Sequence, residues 1–348
     1  MYQIKQIPED FIVKEISDAE TCRKFRNKGK FTYWKLVKKD YTTMKAVQMI
    51  AEKLNINPKR IGFAGNKDRR AVTEQTLSVF CDKSKVEKIK IKDIVLKFLG
   101  YGDEPISLGN LEKNEFIITV RNLDKKPKVN NVKYFPNFFD KQRFSNTNLK
   151  VGKLIIRNDF KKAIETLLRD KHNKNLNTKI SEFLNIHSRN YIGALRLIPE
   201  KILRLYVHSY QSYLWNTATK IFLKKKRLNI VIDLEFPVLG FGTEFNNREI
   251  EKIYDKILHE EEIHKRDFII KQIPELSSIG TSRRLFAKIY DLEVLEISKD
   301  ELSHEKYKIK ISFKLDKGCY ATTALKYLFP SEERSQSQKL FSPLIDCH

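Results

Sequence analysis

The stretch Gly62–Gln75 has the sequence GFAGNKDRRAVTEQ and sets one acidic side chain among three cations in a turn marked by glycine. Asp68 follows Lys67 and precedes Arg69 and Arg70. Neighbouring positive charge favours the ionised form of a carboxyl group, and an ionised carboxylate can act as a nucleophile or a base. Charged surface turns are far more common than catalytic ones, so the order of the residues matters more here than their charge.

The residues on both sides of this turn predict a helix and two strands. We expect the helix to begin at Thr43 as its N-cap and to end at Asn55, because apolar residues recur between them with helical spacing. A short strand over residues 61–64 then leads into the turn, and an extended segment over residues 72–80 follows it. Asp68 would therefore lie on a loop held between strands, which suits a preorganised carboxylate.

Helical patterns dominate the middle of the chain, from about Asp159, whereas the two ends are rich in strands. Alternation over residues 116–120 and 307–315 predicts half-buried strands. The clearest helix covers residues 201–225; its predicted buried face comprises Tyr206, Tyr210, Tyr213, Leu214 and Ile221, with His208, Gln211, Ser212, Trp215 and Asn216 largely on other faces. This pattern predicts a mixed α/β (α+β) chain in which a helix-rich module is inserted into a sheet domain.

The charge of the chain points to a polyanionic partner. Its 348 residues include 67 Lys and Arg against 44 Asp and Glu, a net charge of +23. Such an excess attracts nucleic acid through many Coulomb contacts and counterion release. The chain has no Gly-x-x-x-x-Gly-Lys-[Ser/Thr] phosphate loop, and Asn66-Lys67-Asp68 lacks the residue that a guanine-binding motif has between its lysine and aspartate. We therefore discard nucleotide hydrolysis.

Several further classes of function receive no support from the sequence. Cys22, Cys81, Cys319 and Cys347 are widely scattered, and the seven histidines form no ligand cluster, so no metal is expected. Gly240-Phe241-Gly242 is a lone Gly-x-Gly and gives no dinucleotide site, so no cofactor is expected. No apolar run approaches the roughly twenty residues that cross a bilayer, and we expect a cytoplasmic protein with no membrane contact.

The residues from Ala64 to Gln75 match the string Ala-Gly-x-Lys-Asp-x-x-Ala-Val-Thr-x-Gln at every fixed position. In this string the chain closely resembles the TruD family of RNA pseudouridine synthases, whose aspartate is the nucleophile. The resemblance implies that role for Asp68. It also implies a pseudouridine synthase catalytic domain with a mixed, largely antiparallel sheet, interrupted by a helix-rich inserted TRUD domain.

A second motif of the same family is similar to the segment that begins at Asn137. Its pattern, Asn-x-Phe-x-x-Gln-Arg-Phe, is matched by Asn137, Phe139, Gln142, Arg143 and Phe144. An aromatic ring can stack on a flipped base, while an amide and a guanidinium can bind sugar, base edge or phosphate. The resemblance implies substrate binding by these residues. Asp140-Lys141 replaces the common Gly-Glu, and Ser145 replaces a common Gly.

The two ends of the chain carry weaker resemblances. Pro8–Glu15 resembles the family's Pro-Glu-Asp-Phe-x-Val-x-Glu, in which the phenylalanine helps to form the uridine pocket, so Phe11 inherits that role. Lys5 matches a basic residue thought to pair with the catalytic acid. Gly318–Thr323 resembles a C-terminal motif that gives Tyr320 an aromatic pocket role, although Lys326 and Tyr327 stand where Arg-Glu is common.

The resemblance implies a domain plan. Residues 1–158 would form the first part of the catalytic domain, 159–288 the inserted TRUD domain, 289–330 the second part, and 331–348 a tail.

The implied activity is the cofactor-independent conversion of a tRNA uridine, most simply the one at position 13, to pseudouridine. Asp68 would attack C1′ or take the C2′ proton, and both routes stay open. A non-catalytic RNA-binding protein or tRNA-folding chaperone is the main alternative, and another structured RNA as the main substrate is a second. No obligate protein partner is implied.

Overall fold

The computed structural model describes residues 2–17, 25–140, 143–170, 174–226 and 232–329. Gln142, the tail over residues 331–348, Cys22 and Cys347 lie outside the described residues. Within them the chain forms two compact units. The first comprises residues 2–135 and 287–329, and the second comprises residues 136–286.

Twelve strands occur in the described part of the chain. They are β1 (Phe11–Ser17), β2 (Phe31–Lys39), β3 (Ile61–Phe63), β4 (Val72–Val79), β5 (Ile94–Gly102), β6 (Leu111–Leu123), β7 (Tyr134–Pro136), β8 (Glu235–Val238), β9 (Thr281–Arg284), β10 (Phe286–Lys288), β11 (Tyr290–Lys299) and β12 (Tyr307–Asp316). The described α-helices are α1 (Thr43–Leu54), α2 (Lys83–Glu87), α3 (Asn146–Ile156), α4 (Phe160–Leu168), α5 (Lys174–Ile186), α6 (Tyr191–Arg196), α7 (Glu200–Lys226), α8 (Arg248–Glu260) and α9 (Ala321–Leu328).

The first unit is built on one mixed, largely antiparallel sheet. Its order is β11-β12-β6-β1-β4-β2-β5, and β3 also pairs with β4. The β1–β4 pair is parallel, and the other pairs of this sheet are antiparallel. The two segments of the unit, which are far apart in sequence, therefore meet where β12 pairs with β6.

Two helices cover parts of this sheet. The alternating residues of β6 and β12 are buried as predicted, and Phe116 lies opposite Phe313 with stacked rings 5.7 Å apart. Residues of α9, including Leu325, join this core. A second core places Ile50 of α1 with Trp34 of β2 and Leu77 of β4.

Helix α1 lies where the sequence predicts it, with one correction at its first turn. The N-cap is Thr42 rather than Thr43, and the Thr42 hydroxyl accepts a hydrogen bond from the backbone N–H of Lys45. Asn55 ends the helix in the left-handed conformation, with φ of 54°. Thr43 is buried, and because Thr42 caps the helix, the Thr43 hydroxyl can bond to the neighbouring loop.

The second unit is mainly helical and packs around α7. The predicted single buried face of this helix is wrong: Gln211, Ser212 and Trp215 are buried, whereas Ile221 is partly exposed. The buried polar side chains of Gln211 and Trp215 are hydrogen-bonded: Gln211 Nε2 donates to the carbonyl oxygen of Leu239, and Trp215 Nε1 donates to that of Phe236. A helix packed on several sides buries residues all round, so its periodicity does not identify one face.

Candidate active site

The loop between β3 and β4 carries Asp68 and follows one edge of β4. This edge pairs with β1 at Val72 to Glu74 and with β3 at Leu77 to Val79. Residues 64–71 therefore leave β3 and return beside the first residues of β1. Close packing explains Gly62 at the entrance, because a Cβ atom there would lie 2.3 Å from the carbonyl oxygen of Ile106.

Three linked hydrogen bonds of side chains support this loop, and two of them reach its backbone. The buried hydroxyl of Thr43 accepts from the backbone N–H of Lys67 at 2.9 Å and donates to Gln75 Oε1 at 2.8 Å. Gln75 Nε2 in turn donates to the carbonyl oxygen of Gly65 at 3.1 Å. Gln75, the last residue of the motif, thus binds the backbone of Gly65, its second residue. The loop is held by residues on α1 and β4.

Asp68 forms an ion pair with Lys5 in the first unit. Lys5 Nζ lies 2.5 Å from Asp68 Oδ2, and the aspartate side chain is 48% exposed whereas that of Lys5 is 13% exposed. The same ammonium lies 4.0 Å above the centre of the Phe11 ring, which is buried and also packs edge-on against Phe116. The half-exposed Asp68 carboxylate is therefore paired with a cation that also makes a cation–π contact with Phe11.

Lys38 holds the main chain of Asp68 from the interior. This lysine is fully buried, and its Nζ donates to the carbonyl oxygens of Tyr41 at 2.5 Å and of Asp68 at 3.1 Å. Burial lowers the pKa of Lys38 to about 8; the Asp68 carboxylate opposes this shift, and the ammonium of Lys67 adds to it. The nucleophile candidate is thus fixed through its backbone as well as its side chain.

The cations next to Asp68 in sequence contact other groups. Lys67 Nζ lies 2.9 Å from the buried Glu15 carboxylate and donates to Asn114 Oδ1. Arg70 Nη2 donates to the carbonyl oxygen of Gln6 at 3.1 Å. The cation that pairs with the carboxylate, Lys5, is 63 residues away in sequence. The expectation that the flanking cations surround Asp68 is therefore replaced by longer-range pairing.

Tyr320 lies in the same unit at the N-cap of α9. Its side chain is partly buried, and its carbonyl oxygen accepts hydrogen bonds from the backbone N–H groups of Thr323 and Ala324. Gly318, two residues earlier, has φ of 81°, a conformation that favours glycine. The motif Gly318–Thr323 thus forms the entrance to a helix.

In the second unit, Asn137 is buried, and both the oxygen and the nitrogen of its side-chain amide make hydrogen bonds. Asn137 Nδ2 donates to the carbonyl oxygen of Arg284 at 3.1 Å, and Asn137 Oδ1 accepts from Arg283 Nη2 at 2.6 Å. Arg283 Nε also donates to the carbonyl oxygen of Asn137 at 2.8 Å. The guanidinium fork therefore fixes both the side chain and the backbone of Asn137.

Both backbone polar groups of Phe139 are hydrogen-bonded to one side chain. Its backbone N–H donates to Asn216 Oδ1 and its carbonyl oxygen accepts from Asn216 Nδ2, each at 2.9 Å. Its ring packs edge-on against Trp215, with the Arg283 guanidinium 4.3 Å and that of Arg143 5.2 Å from the ring centre. One aromatic ring thus meets two cations.

Sequence reasoning did not identify several of these supporting residues. Asn216 was predicted only as part of a helix, and Arg283 was not predicted as a site residue, although both contact the Asn137 motif. Lys38 had a usable signal, because it continues the even-numbered face of β2 on which Trp34 and Leu36 are buried. Alternation alone would have placed this lysine in the interior.

Within the described ranges, no three His, Cys, Asp or Glu side chains are grouped so that they could hold a metal ion. In the same part of the chain, no helix has both the length and the apolar character that a membrane span requires.

Comparison with known proteins matches nearly the whole chain to one family. The family model described as tRNA pseudouridine synthase D (TruD) matches residues 2–185, 171–233 and 220–328. The tRNA pseudouridine synthase D of Aquifex aeolicus is 31% identical over 398 residues, which cover 96% of this chain and 99% of the relative. The probable tRNA pseudouridine synthase D of Methanosarcina acetivorans is 30% identical over 410 residues, covering 93% of this chain and 91% of the relative.

A solved structure agrees with this match. The crystal structure of the putative tRNA pseudouridine synthase D from Methanosarcina mazei superposes with a TM-score of 0.71 at 28% sequence identity. The match covers 94% of this chain and 93% of that one.

Proposed function

This chain belongs to the tRNA pseudouridine synthase D (TruD) family, and on that premise we propose that it isomerises the uridine at position 13 of tRNA with Asp68 as nucleophile. The observation that carries the proposal is the solvent-open carboxylate of Asp68, paired with Lys5 at 2.5 Å on a loop whose backbone is held at both ends. A nucleophile must be reachable by the substrate and must also keep its orientation. The Asp68 loop meets both requirements.

The reaction needs one carboxylate and no external electron donor or acceptor. Asp68 breaks the bond between N1 of uracil and C1′ of ribose, either by attack at C1′ or after taking the C2′ proton. The detached uracil turns and bonds to C1′ through C5. On the first route this displaces the Asp68 carboxylate from C1′, and on the second Asp68 returns the proton to C2′. C5 then gives up its proton and N1 ends with one, so the product is an isomer of the substrate. Throughout the reaction Lys5 balances the negative charge of the Asp68 carboxylate and orients it.

The target uridine must leave its stack to reach Asp68, because a base inside folded RNA is not open to a carboxylate. We propose that the enzyme flips it, at a cost of about a few kcal/mol that stacking and backbone contacts offset. Phe139 and Tyr320 are the stacking candidates. Phe11 is a candidate for the floor of the uridine pocket. Its ring lies under the Lys5 ammonium, which pairs with Asp68.

The second motif contributes to substrate binding in this proposal. Asn137 presents a fixed amide and backbone, and Arg143 adds a cation beside Phe139. Gln142 is assigned the same role by the family motif alone. We further propose that the sheet unit is the catalytic domain and that the helical unit, residues 136–286, is the inserted TRUD domain, which binds tRNA by shape and phosphates. The cytoplasm, where tRNA is found, is the proposed compartment.

The decisive experiment is to map pseudouridine in an unmodified tRNA transcript at single-nucleotide resolution after incubation with wild-type protein or Asp68→Asn. Neither metal nor cofactor is added. We expect one modified position, uridine 13, with the wild type and none with the variant. Asp103→Asn is a matched control, because this aspartate is also about half exposed in the same unit and pairs with Arg26.

A second outcome would favour a non-catalytic RNA-binding protein. It consists of tight binding of tRNA that weakens steeply with salt, together with no product in tRNA or in other structured RNA. Modification of a different uridine, again abolished by Asp68→Asn, would retain the chemistry and correct the target.

A further inference from the structure

The ion-pair partner of Asp68 has an unusual backbone conformation. Lys5 has φ of 58°, in the left-handed region that residues with a Cβ atom adopt at a cost of about 1 kcal/mol or more. Such a conformation persists only where the surrounding structure imposes it. On the N-terminal side of Lys5, Gln3 and Arg121 exchange two backbone hydrogen bonds, of 2.9 and 2.8 Å. Arg121 therefore fixes the chain before Lys5.

The chain after Lys5 is fixed by a buried carboxylate. Asp10 Oδ2 accepts hydrogen bonds from the backbone N–H groups of Gln6 at 3.0 Å and of Ile7 at 3.1 Å. Asp10 Oδ1 accepts from Arg121 Nε at 2.8 Å. Arg121 thus fastens both sides of the Lys5 turn, one side through its backbone and the other through its guanidinium and Asp10.

The guanidinium of Arg121 is itself held by two more carboxylates. Arg121 Nη1 donates to Asp300 Oδ1 at 2.7 Å, and Nη2 donates to Glu301 Oε1 at 3.0 Å. Arg121, Asp10 and Asp300 are buried, whereas the side chain of Glu301 is 53% exposed and also pairs with Lys308. Burial disfavours the cation, but the hydrogen bonds that Arg121 donates to the three carboxylates outweigh it and raise the pKa of Arg121 above its ordinary value.

A buried arginine held by two buried carboxylates and one half-exposed carboxylate is a costly device for stability alone, because apolar residues of similar volume often stabilise a core as well. What it provides here is a rigid fork that no apolar side chain supplies. Within the described residues, its hydrogen-bonded branch toward the Asp68 loop runs through Asp10 to the backbone of Gln6 and Ile7, directly after Lys5. The segment that this branch holds is therefore the turn at Lys5.

We propose that Arg121 and Asp10 are positioning residues for the reaction: they impose the left-handed turn that brings the Lys5 ammonium to the Asp68 carboxylate. The inference rests on the proposed role of Asp68 and Lys5. Neither Arg121 nor Asp10 contacts the carboxylate of Asp68, so both act through Lys5. Misplacement of a reacting group by about 1 Å can cost about 100-fold in rate, so a loosened turn has a measurable effect.

The main variant is Asp10→Asn, which keeps the shape of the side chain. Its amide can accept from Gln6 and Ile7 or from Arg121, but it places an N–H group where one of these bonds needs an acceptor. We expect the single-turnover rate to fall about 10- to 100-fold, with the tRNA concentration for half-maximal rate within about twofold of wild type. Arg121→Lys keeps the buried cation but not the fork, and we expect a loss of the same kind.

Glu301→Gln is the matched control. It removes a charge from the same arginine but does not touch the Lys5 turn, so its rate should equal that of wild type. A rate loss in Glu301→Gln as large as that in Asp10→Asn would overturn the inference, because general weakening of the arginine site would then explain both.

A double-mutant cycle and a structure supply the readouts that general destabilisation would not give. Adding Asp10→Asn to Lys5→Met should lower the rate no further than Lys5→Met alone, since both changes remove the same ion pair. In a crystal structure of Asp10→Asn, Lys5 Nζ should lie outside hydrogen-bonding distance of Asp68. Losses that multiply, or a variant structure with the ion pair in place, would refute the inference.

These outcomes are separable from failure of the proposed function. If the wild type forms no pseudouridine in any RNA tested, the proposed function fails and the crystal structure of Asp10→Asn still decides the positioning claim. If the wild type is active and the two losses multiply, only the positioning claim fails.

Discussion

The ammonium of Lys38 donates a 3.1 Å hydrogen bond to the main-chain carbonyl oxygen of Asp68, so a buried cation holds the backbone of the residue whose side chain faces solvent. Lys5 and Lys38 therefore act on different parts of one residue. The first orients the carboxylate, and the second fixes the peptide from which the carboxylate projects. This division separates the consequences of losing each lysine.

Lys38→Met should lower the rate of pseudouridine formation about 10- to 100-fold without weakening tRNA binding, because the Asp68 backbone loses its donor while the exposed surface is unchanged. Single-turnover kinetics and a binding titration measure the two effects. Lys35→Met is the matched control, since Lys35 lies on the same strand but is exposed and pairs with Glu74 at 3.9 Å. Equal rate losses in both variants would contradict a specific role for Lys38.

The stability of the protein should carry a pH signature of the same lysine. The pKa of Lys38 is lowered from 10.5 to about 8 in the folded state, so between these values the unfolded chain binds a proton that the folded chain has released. The stability of wild type relative to Lys38→Met should therefore rise with pH across this window, by up to about 3 kcal/mol. Urea unfolding of both proteins at the two ends of the window measures it. A difference that does not vary with pH would show that Lys38 is not desolvated in this way.

Arg283→Lys should damage the Asn137 motif more than Arg284→Lys does. Arg283 makes two hydrogen bonds to Asn137 and lies over the Phe139 ring, and a lysine cannot reproduce that fork. Arg284 contributes its carbonyl oxygen to Asn137, which a side-chain change retains. We expect Arg283→Lys to cost about 1–3 kcal/mol of stability and about tenfold in kcat/KM. Thermal melting and steady-state kinetics test this; indistinguishable variants would exclude it.

Breaking the buried pair of Glu15 and Lys67 should be among the more destabilising single changes in the first unit. Lys67→Met leaves the Glu15 carboxylate buried without its cation, at a cost of about 3–5 kcal/mol. The double variant Glu15→Gln/Lys67→Met should regain much of this loss, since no uncompensated charge remains. Lys14→Met, which removes a partly exposed pair with Glu115, should change stability by less than about 1 kcal/mol. Urea unfolding orders the four proteins, and no recovery in the double variant would refute the charge argument.

The sequence was sufficient for features that depend on neighbouring residues. Alternation identified β6 and β12, and the cap at Asn55 identified the end of α1. The mixed, largely antiparallel sheet was also confirmed. The strands and the helix end follow from periods of two and 3.6 residues and from turn chemistry, which are local, whereas the sheet type was implied by the family resemblance.

The sequence was insufficient where partners are distant along the chain. Nothing near Asp10 indicates Arg121, and nothing near Asp68 indicates that Lys67 would turn to Glu15 instead. The face of α7 was wrong for a related reason, because tertiary packing on several sides of the helix decides its burial. Charge density in a turn therefore gave the position of the candidate nucleophile but not its electrostatic partners.

The pairing of β12 with β6 has a consequence for synthesis on the ribosome. Leu111–Leu123 emerges early, whereas Tyr307–Asp316, which covers its free edge, follows the whole second unit. At ordinary elongation rates the nascent chain keeps that edge open for roughly 10 to 40 seconds. An open strand edge is a template for pairing with other chains. A ribosome that stalls within residues 136–286 would therefore release a fragment prone to aggregation, even if the motif around Asp68 were complete.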